Sequence, residues 1–267
     1  MIEGVKHIVA VASGKGGVGK STVTVNLALA MAAEGYRVGI LDADIHGPSQ
    51  AQMLGVGEGV RPVAAGENRM HPLEAHGLQA MSMAFMVDTR EPMVWRGPMV
   101  AGAFQQLLTQ TLWDDLDFLF IDMPPGTGDI QLTLAQKVPV DGAVIVTTPQ
   151  DIALLDARKG IEMFRKVKVP VLGVVENMSL HVCSSCGHAE PIFGEGGGER
   201  IAGEYETRVL GRLPLALSIR EQVDGGRPTV VAEPDGEVTA TFRDMARQVA
   251  EQVAGQADAG PSISFSD

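Results

Sequence analysis

The sequence predicts an α/β fold, a doubly wound and mainly parallel sheet with helices on both faces. Three observations predict this class. Short apolar runs alternate with segments of helical periodicity, an order typical of parallel strands joined by crossover helices. Two of these runs end on a carboxylate, at Asp42 and at Asp122. A glycine-rich segment follows the first apolar run and opens the first helical segment.

The individual elements follow from these patterns. Buried strands are predicted at residues 7–12, 38–41, 118–121, 143–147, 171–175 and 209–213. Helices are predicted at residues 20–34, 99–112, 130–137, 151–167 and 238–253. Residues 55–78 are rich in glycine, proline and polar groups, which predicts an irregular excursion or a small hairpin. We expect one domain over residues 1–254, followed by a disordered tail over residues 255–267 that is small, polar and acidic.

The composition and net charge of the chain limit the kinds of molecule that it is expected to bind. Hydrophobic residues make up 45% and charged residues 20% of the 267 residues, which is ordinary for a folded domain. The formal net charge of −12 repels nucleic acid and anionic membranes, so neither is expected as a partner. The N-terminus does not resemble a signal peptide, and no run of about 18 apolar residues occurs. We therefore expect a cytoplasmic protein with reduced thiols.

The glycine-rich segment matches the pattern Gly-x-x-x-x-Gly-Lys-Ser between a predicted strand and a predicted helix, which is the context this motif requires. Glycines let successive backbone N–H groups turn inward, and the helix N-terminus adds partial positive charge. The pattern predicts a cradle for the phosphates of ATP, in which Lys20 reaches the outer phosphates and Ser21 ligates Mg²⁺. The candidate cradle residues are Gly14, Lys15, Gly16, Gly17, Val18, Gly19, Lys20, Ser21 and Thr22.

Three carboxylates are candidates for the chemistry beside this cradle. Asp122 ends an apolar strand, a Walker B arrangement that delivers a carboxylate to Mg²⁺ directly or through water. Asp42 and Asp44 follow the second strand and are able to position Mg²⁺ and orient an attacking water, although helix capping or a solvated loop charge also explains them. The loop after Asp122 carries two prolines and two glycines, which suits either a γ-phosphate sensor or a plain connection capped by Asp129.

A cysteine pair, Cys183 and Cys186, supplies half the ligands of a tetrahedral metal site or a four-thiolate cluster. The chain has no other cysteine, so an all-thiolate site requires a second chain and predicts a two-fold dimer. Three alternatives remain: a zinc site closed within one chain by His181 and His188, a dithiol redox pair, and two incidental thiols.

The segment Gly-Lys-Gly-Gly-Val-Gly-Lys-Ser resembles the deviant Walker A group of ATPases, which includes the MinD, ParA, ArsA and nitrogenase iron-protein families. The resemblance implies that Lys15 contacts phosphate in trans within a nucleotide-sandwich dimer. It also implies that Asp44 is the switch carboxylate that orients water, with Asp42 close to the magnesium. Asn177 and Pro214 match the positions that frame the adenine.

A closer resemblance rests on several motifs that occur together and in order. They are the phosphate loop, the run from Asp42 to Ser49, the run from Asp122 to Asp129, the segment Glu-Asn-Met-Ser at 176–179, the cysteine pair, and Ile-Phe-Gly-Glu-Gly-Gly-Gly at 192–198. Together they resemble the Mrp/ApbC family of iron–sulfur cluster carrier ATPases over about residues 4–250.

This resemblance implies a homodimer that holds a [4Fe–4S] cluster between two Cys183/Cys186 pairs, hydrolyses ATP slowly, and passes the cluster from donors to apo iron–sulfur proteins. The rival interpretations are a positioning ATPase of the MinD/ParA type and an ATPase with structural zinc. Many bacterial members carry a further N-terminal domain. This chain begins a few residues before its first strand, so we expect that contribution to be absent or supplied by another protein.

Overall fold

The computed structural model describes residues 2–45, 47–57, 59–66, 68–85, 97–183 and 185–258. The strands in these ranges are β1 (Val5–Ala12), β2 (Val38–Asp42), β3 (Leu73–Ala75), β4 (Leu78–Ser82), β5 (Leu116–Asp122), β6 (Gly142–Thr147), β7 (Val171–Glu176), β8 (His181–Val182), β9 (Ala189–Glu190) and β10 (Val209–Arg212). The α-helices are α1 (Lys20–Ala33), α2 (Gln50–Met53), α3 (Gly97–Gln110), α4 (Asp129–Lys137), α5 (Asp151–Lys166), α6 (Gly197–Glu204), α7 (Leu217–Asp224), α8 (Thr229–Ala232) and α9 (Glu237–Asp258).

The main sheet has the strand order β10-β7-β6-β1-β5-β2-β4-β3. Its neighbouring strands run parallel, except for the antiparallel hairpin of β3 and β4 at one edge. Strands β8 and β9 form a separate antiparallel hairpin. The predicted mainly parallel sheet is therefore confirmed, as are all six predicted strands and all five predicted helices, with shifts of one to five residues at their ends.

Alternate side chains of β1 pack into two hydrophobic cores, one on each face of the sheet. Each core is covered by helices, so helices lie on both faces. Val9 and Val11 belong to a core with α1 and α9, where Leu27 and Phe242 are buried. Ile8 and its neighbours on the other face belong to a second core, formed with α3, α4, α5 and α6. A strand buried on both faces appears in sequence as a continuous apolar run, as β1 does.

The carboxyl ends of the parallel strands bring the polar candidates to one edge of the sheet. Asp42 and Asp122 are direct neighbours in the register of β2 and β5. Strand β1 ends beside them and leads into residues 13–19, after which α1 begins at Lys20. Ligands of open α/β sheets bind outside this edge, so the fold places the phosphate loop and the strand-end carboxylates where a ligand would meet both.

Strands β3 and β4 confirm the small hairpin expected within residues 55–78, although β4 continues to Ser82 and the hairpin extends the main sheet. The structure also contains elements that the sequence patterns did not predict. Helices α2 and α8 span four residues each, and β8 and β9 span two each, which is too short for periodicity to reveal. Helix α6 starts inside a run of three glycines, a composition that predicts a loop.

Residues 255–258, which the sequence predicts to belong to the tail, are helical. Helix α9 continues to Asp258, because each added helical residue gains a backbone hydrogen bond once the helix is anchored on α1 through buried Val249 and Val253. Residues 259–267 lie outside the described residues, and the limits of the domain stay a prediction. None of the helices in the described ranges is both long and apolar enough to cross a bilayer.

Candidate functional site

The phosphate loop lies between the end of β1 and the start of α1, and its shape depends on glycine at two positions. Gly17 and Gly19 have φ values of +82° and +83°, in the left-handed region that disfavours other residues. A Cβ on Gly14 would lie 2.0 Å from the backbone oxygen of Asp156 in α5, and a Cβ on Gly19 would lie 2.2 Å from Nδ2 of Asn177. The loop is therefore closely held between α5 and the end of β7, as an anion cradle requires.

Lys20 and Ser21 are the first two residues of α1, and they meet the Walker B carboxylate. The Lys20 ammonium, which is nearly buried, contacts Asp122 Oδ1 directly and lies 3.3 Å from Ser21 Oγ. The Thr24 hydroxyl, one turn further along α1, donates to the same carboxylate oxygen at 3.1 Å. The structure thus brings together the three residue types expected to face phosphate and magnesium.

Two fully buried carboxylates face each other at this point. Asp42 accepts hydrogen bonds from the backbone N–H groups of Asp44, Ser49 and Gln50, at 2.9 to 3.0 Å. Burial, and then the negative charge of Asp122, raise the pKa of Asp42 to about 7. Lys20 balances one of the two negative charges, so an additional positive charge fits this site electrostatically.

The donor set suits magnesium better than a metal held by protein alone. Within the described residues, no group of three or more His, Cys, Asp or Glu side chains is arranged to hold a metal ion. Mg²⁺ binds oxygen ligands and usually keeps several waters while using one or two carboxylates and substrate phosphates. Ser21, Asp42 and Asp122 present such oxygens, and both carboxylates already accept protein hydrogen bonds, which favours contact through water.

The two remaining catalytic candidates, Asp44 and Lys15, both take part in local hydrogen bonds. Asp44 follows β2 by two residues, is buried, and accepts a hydrogen bond from Gly47 N–H at 3.3 Å. Lys15 is half-buried, and its carbonyl oxygen accepts a bond from the Ser13 hydroxyl at 2.9 Å. Neighbouring His46 lies outside the described residues.

The loop that follows Asp122 packs on the phosphate loop. Gly126 has a φ value of +98°, and its N–H donates to Ser13 O at 2.9 Å. Gln131 of α4 holds the same loop through the carbonyl oxygen of Pro125. Asp129 is the first residue of α4 and follows the cap residue Gly128, so it does not cap the helix itself as one interpretation of the sequence expected. Its carboxylate still lies in the first helical turn, where negative charge is favourable.

The two residues expected to frame adenine occupy different surroundings. Asn177 is buried, and its Nδ2 donates to Val18 O of the phosphate loop at 2.9 Å. Pro214 lines a cavity of about 820 Å³ at the ends of β7 and β10, together with Ser179 and Leu180. The structure thus places Pro214 in the wall of a cavity that Glu176, the neighbour of Asn177, also lines, while Asn177 itself contacts the phosphate loop.

The cysteine pair lies in the turn of the β8–β9 hairpin. Cys183 N–H donates to His188 O at 2.9 Å, and Gly187 N–H donates back to Cys183 O at 2.8 Å, with Gly187 at a φ of +72°. Both cysteines are free thiols, and Cys186 is exposed. Backbone N–H groups of Ser185, and then of Cys186, lower the pKa of the Cys183 thiol, which favours the thiolate that binds metals.

Within the described residues, the structure does not show a metal site closed within one chain around this pair. His181 Nδ1 lies 3.1 Å from Leu215 O, so this ring nitrogen is already engaged away from the cysteines. Among the residues that the structure describes, no histidine or carboxylate joins the two cysteines in a group of three potential ligands. The hairpin therefore presents two free thiols.

Sequence reasoning missed two polar residues of this region. Gln50 is buried, and its Nε2 donates to Asp122 Oδ2 at 2.8 Å and to Ser21 O at 3.0 Å. Glu176 is buried at the end of β7, where Oε2 accepts a bond from Gly198 N–H at 2.5 Å. Like Asp42 and Asp122, Glu176 is a carboxylate at the end of an apolar strand, so the sequence did contain a signal for it. Nothing in the sequence around Gln50 indicates its role.

A phosphate loop, two strand-end carboxylates and a mainly parallel sheet together define the class of P-loop nucleoside triphosphatases. A family model described as ParA, the NUBPL iron-transfer P-loop NTPases, matches residues 4–250. The chain belongs to this family, as the resemblance to cluster-carrier ATPases predicted.

Two relatives with named functions agree with this placement. The chain is 67% identical over 242 residues to an iron–sulfur cluster carrier protein of Pseudomonas fragi, covering 91% of this chain and 84% of the relative. It is 60% identical over 265 residues to an iron–sulfur cluster carrier protein of Escherichia coli K12, covering 99% of this chain and 72% of the relative.

Solved structures agree on the fold. A nucleotide-binding protein of Archaeoglobus fulgidus in complex with ADP superimposes with a TM-score of 0.76 at 37% identity, covering 90% of this chain and 93% of that one. The cell-division ATPase MinD of Pyrococcus furiosus superimposes with a TM-score of 0.67 at 23% identity, covering 92% and 99%. The second likeness shows a shared fold only.

Proposed function

We propose that this chain is an ATP-binding and ATP-hydrolysing carrier of iron–sulfur clusters, which assembles its cargo between two copies of the chain and transfers it to apo iron–sulfur proteins in the cytoplasm. One observation carries the proposal. The phosphate loop and the cysteine hairpin are joined at the same strand end, because Asn177 follows β7, bonds the loop at Val18, and opens the segment that leads to Cys183.

The nucleotide half of the proposal assigns roles at the edge of the sheet. Residues 14–22 hold the phosphates, and the cavity beside Pro214 receives the base. Lys20 contacts the outer phosphates and Ser21 binds magnesium, with Asp42 and Asp122 holding it through water. When bound, magnesium neutralises charge that develops on the phosphates. Asp44 orients the attacking water.

Lys15 is proposed to act on the ATP of the partner subunit, in the manner of an arginine finger. A Lys15→Ala chain should lose ATP turnover while it keeps Mg-ADP affinity, whereas Lys20→Ala should lose both, since Lys20 faces the cradle of its own chain. Phosphate release and equilibrium binding of a fluorescent ADP analogue measure the two properties. Normal turnover in Lys15→Ala would contradict the role in trans.

The cargo half of the proposal follows from the count of thiolates. A [4Fe–4S] cluster is held by four cysteine thiolates, and each chain presents two. A two-fold axis beside Cys186, which is exposed, brings two hairpins together and completes the set. Binding of the cluster and pairing of the chains are then one event.

Exposed apolar side chains support a self-association surface on this side of the molecule. Ile152 and Leu155 lie in the first turns of α5, close to where Asp156 packs on the phosphate loop. Val182 precedes the first cysteine, and Ile192 lies in the segment that returns from the hairpin to α6. Exposed apolar side chains mark interaction sites, and in the proposed two-fold dimer both groups are covered.

Structural zinc is the second candidate, because the paired hydrogen bonds around Cys183 and Gly187 shape a turn that also suits tetrahedral zinc. Metal and sulfide analysis of protein purified without oxygen separates the two. Iron with acid-labile sulfide, and a brown colour after anaerobic reconstitution, are expected.

The cysteine variants provide the test and its control. Cys183→Ser and Cys186→Ser should each lose the bound iron and sulfide, while Ser185→Ala should keep them, because Ser185 contributes backbone N–H rather than its side chain. Full iron and sulfide in both cysteine variants would refute the carrier function. Zinc without sulfide would select the structural-metal candidate instead.

A further inference from the structure

The cysteine arm, residues 178–197, leaves and rejoins the sheet next to two adjacent residues, Glu176 and Asn177. The arm leaves after Asn177 and comes back at Gly198 in the first turn of α6. The outgoing end is joined directly to Asn177, and the returning end is hydrogen-bonded by Glu176 at the carboxyl end of β7; both side chains are more than nine-tenths buried. A movement of this strand end is therefore transmitted to both ends of the arm, its outgoing and returning roots.

Asn177 connects the outgoing root to the phosphate loop. Its backbone N–H donates to Thr147 O at 2.8 Å, and its Nδ2 donates to Val18 O at 2.9 Å. The absence of a side chain on Gly19 permits this approach, since a Cβ there would lie 2.2 Å from Nδ2. Val18 C=O and Gly19 N–H belong to one planar peptide unit. A ligand that orients this N–H therefore also orients the carbonyl that Asn177 holds.

The outgoing segment is held along its length. Met178 has a φ value of +56°, a left-handed conformation that persists only where its surroundings fix it. Ser179 donates to Leu213 O through both its N–H and its hydroxyl, at 2.9 and 3.1 Å. Leu215 N–H donates to Leu180 O at 2.9 Å. The segment from Asn177 to the hairpin is thus a stiff connector.

Glu176 holds the returning root. Its Oε2 accepts the Gly198 N–H at 2.5 Å, at the N-terminus of α6, where a carboxylate is favoured by the helix dipole. Its Oε1 lies 3.7 Å from Arg212 Nε, and Arg212 also pairs with Glu199 of α6. A Cβ on Gly198 would lie 3.2 Å from the Glu176 side chain, so the approach is close.

We infer that Asn177 and Glu176 are positioning residues that couple the phosphate loop to the cysteine pair. Asn177 transmits ligand binding at the loop to the hairpin, and Glu176 clamps the other root so that the hairpin moves as a unit. The inference rests on the proposed function, since it needs a nucleotide at the loop. It assigns the coupling to the end of β7 rather than to Asp44 or to the loop at residues 126–129.

The test uses the full chain without cluster, under anaerobic conditions. The rate at which iodoacetamide alkylates Cys183 and Cys186 is measured by mass spectrometry, with and without saturating Mg-ADP. Binding is checked separately with a fluorescent ADP analogue. In the wild-type chain, Mg-ADP should slow alkylation by about fivefold or more, a typical size for coupling between two sites.

Two substitutions remove the donor to Val18 O. Asn177→Ala deletes it, and Asn177→Asp keeps the shape of the side chain while replacing the amide with a carboxylate. Both should show the same alkylation rate with and without saturating Mg-ADP. Gln248→Ala is the matched control, because Gln248 also donates to a backbone carbonyl, Leu210 O at 3.0 Å, away from the loop. It should respond to Mg-ADP as the wild type does.

Glu176→Gln separates the two roles. The neutral amide holds the Gly198 N–H more weakly, so alkylation should become faster in both states while the response to Mg-ADP persists. Wild-type rates in this variant would overturn the role of Glu176. A nucleotide response that survives in both Asn177 variants, or is missing in a wild-type chain that binds Mg-ADP, would overturn the coupling alone. A wild-type chain that binds no Mg-ADP would overturn the proposed function as well.

Discussion

Gln50 offers a direct test of how the buried carboxylates are held. Replacing it with methionine keeps a side chain of similar length and removes the Nε2 donor to Asp122 Oδ2 and to Ser21 O. The bond to a charged acceptor is worth about 2 kcal/mol and the bond to a carbonyl about 1 kcal/mol. Gln50 Oε1 is buried without a hydrogen-bond partner, so its removal offsets about 1 kcal/mol.

The net cost of Gln50→Met is therefore about 2 kcal/mol in the free energy of unfolding. For a chain of this size, that corresponds to a melting temperature lower by about 4–8 °C. Thermal unfolding followed by circular dichroism, without nucleotide or Mg²⁺, measures the change.

Gln79→Ala is the control for this prediction. Gln79 also makes two hydrogen bonds, both with the backbone of Asp114, but it is partly exposed and water replaces them. Its melting temperature should change by less than about 2 °C. A Gln50→Met chain that melts within about 1 °C of the wild type would refute the assigned hydrogen bonds.

Three further predictions follow. Gly19→Ala should raise the Kd of Mg-ADP at least about tenfold in a fluorescence titration, because its φ of +83° and the contact with Asn177 both exclude a Cβ; unchanged affinity would argue against the cradle. Glu34→Gln should lower stability by about 1 kcal/mol at pH 7. Arg243 foremost, and also Arg247, lower the pKa of Glu34 against the opposing effect of its partial burial. The stability difference is therefore complete above the ordinary carboxyl value of 4.5 and is lost as the pH falls through the lowered pKa of the folded state. Equal differences in urea unfolding at pH 7 and at pH 3 would contradict this. Ile152→Glu should weaken self-association in sedimentation with Mg-ATP while the melting temperature of the monomer stays unchanged, whereas the control Val63→Glu, also at an exposed position, should leave association intact.

The sequence was sufficient where the determining contacts are local. The strands of the main sheet that are buried on both faces appear as continuous apolar runs, and the phosphate loop needs only residues within eight positions of each other. The elements it did not reveal include very short ones, such as α2 and the β8–β9 hairpin, and the eight-residue helices α6, which begins among glycines, and α7. Their existence depends on packing against distant segments rather than on periodicity.

By itself, the sequence determined the class of fold, the phosphate cradle and the pairing of two thiols at metal spacing, because each of these depends on residues that lie close together along the chain. Tertiary structure decided which groups meet: Asp42 beside Asp122 through strand register, Gln50 on Asp122, and Asn177 on a loop 159 positions away. It also showed that the histidines near the cysteines do not close a site within the described part of one chain. Contacts of this kind arise only when the sheet assembles, since a strand pattern specifies which face is buried but not which strand lies next to it.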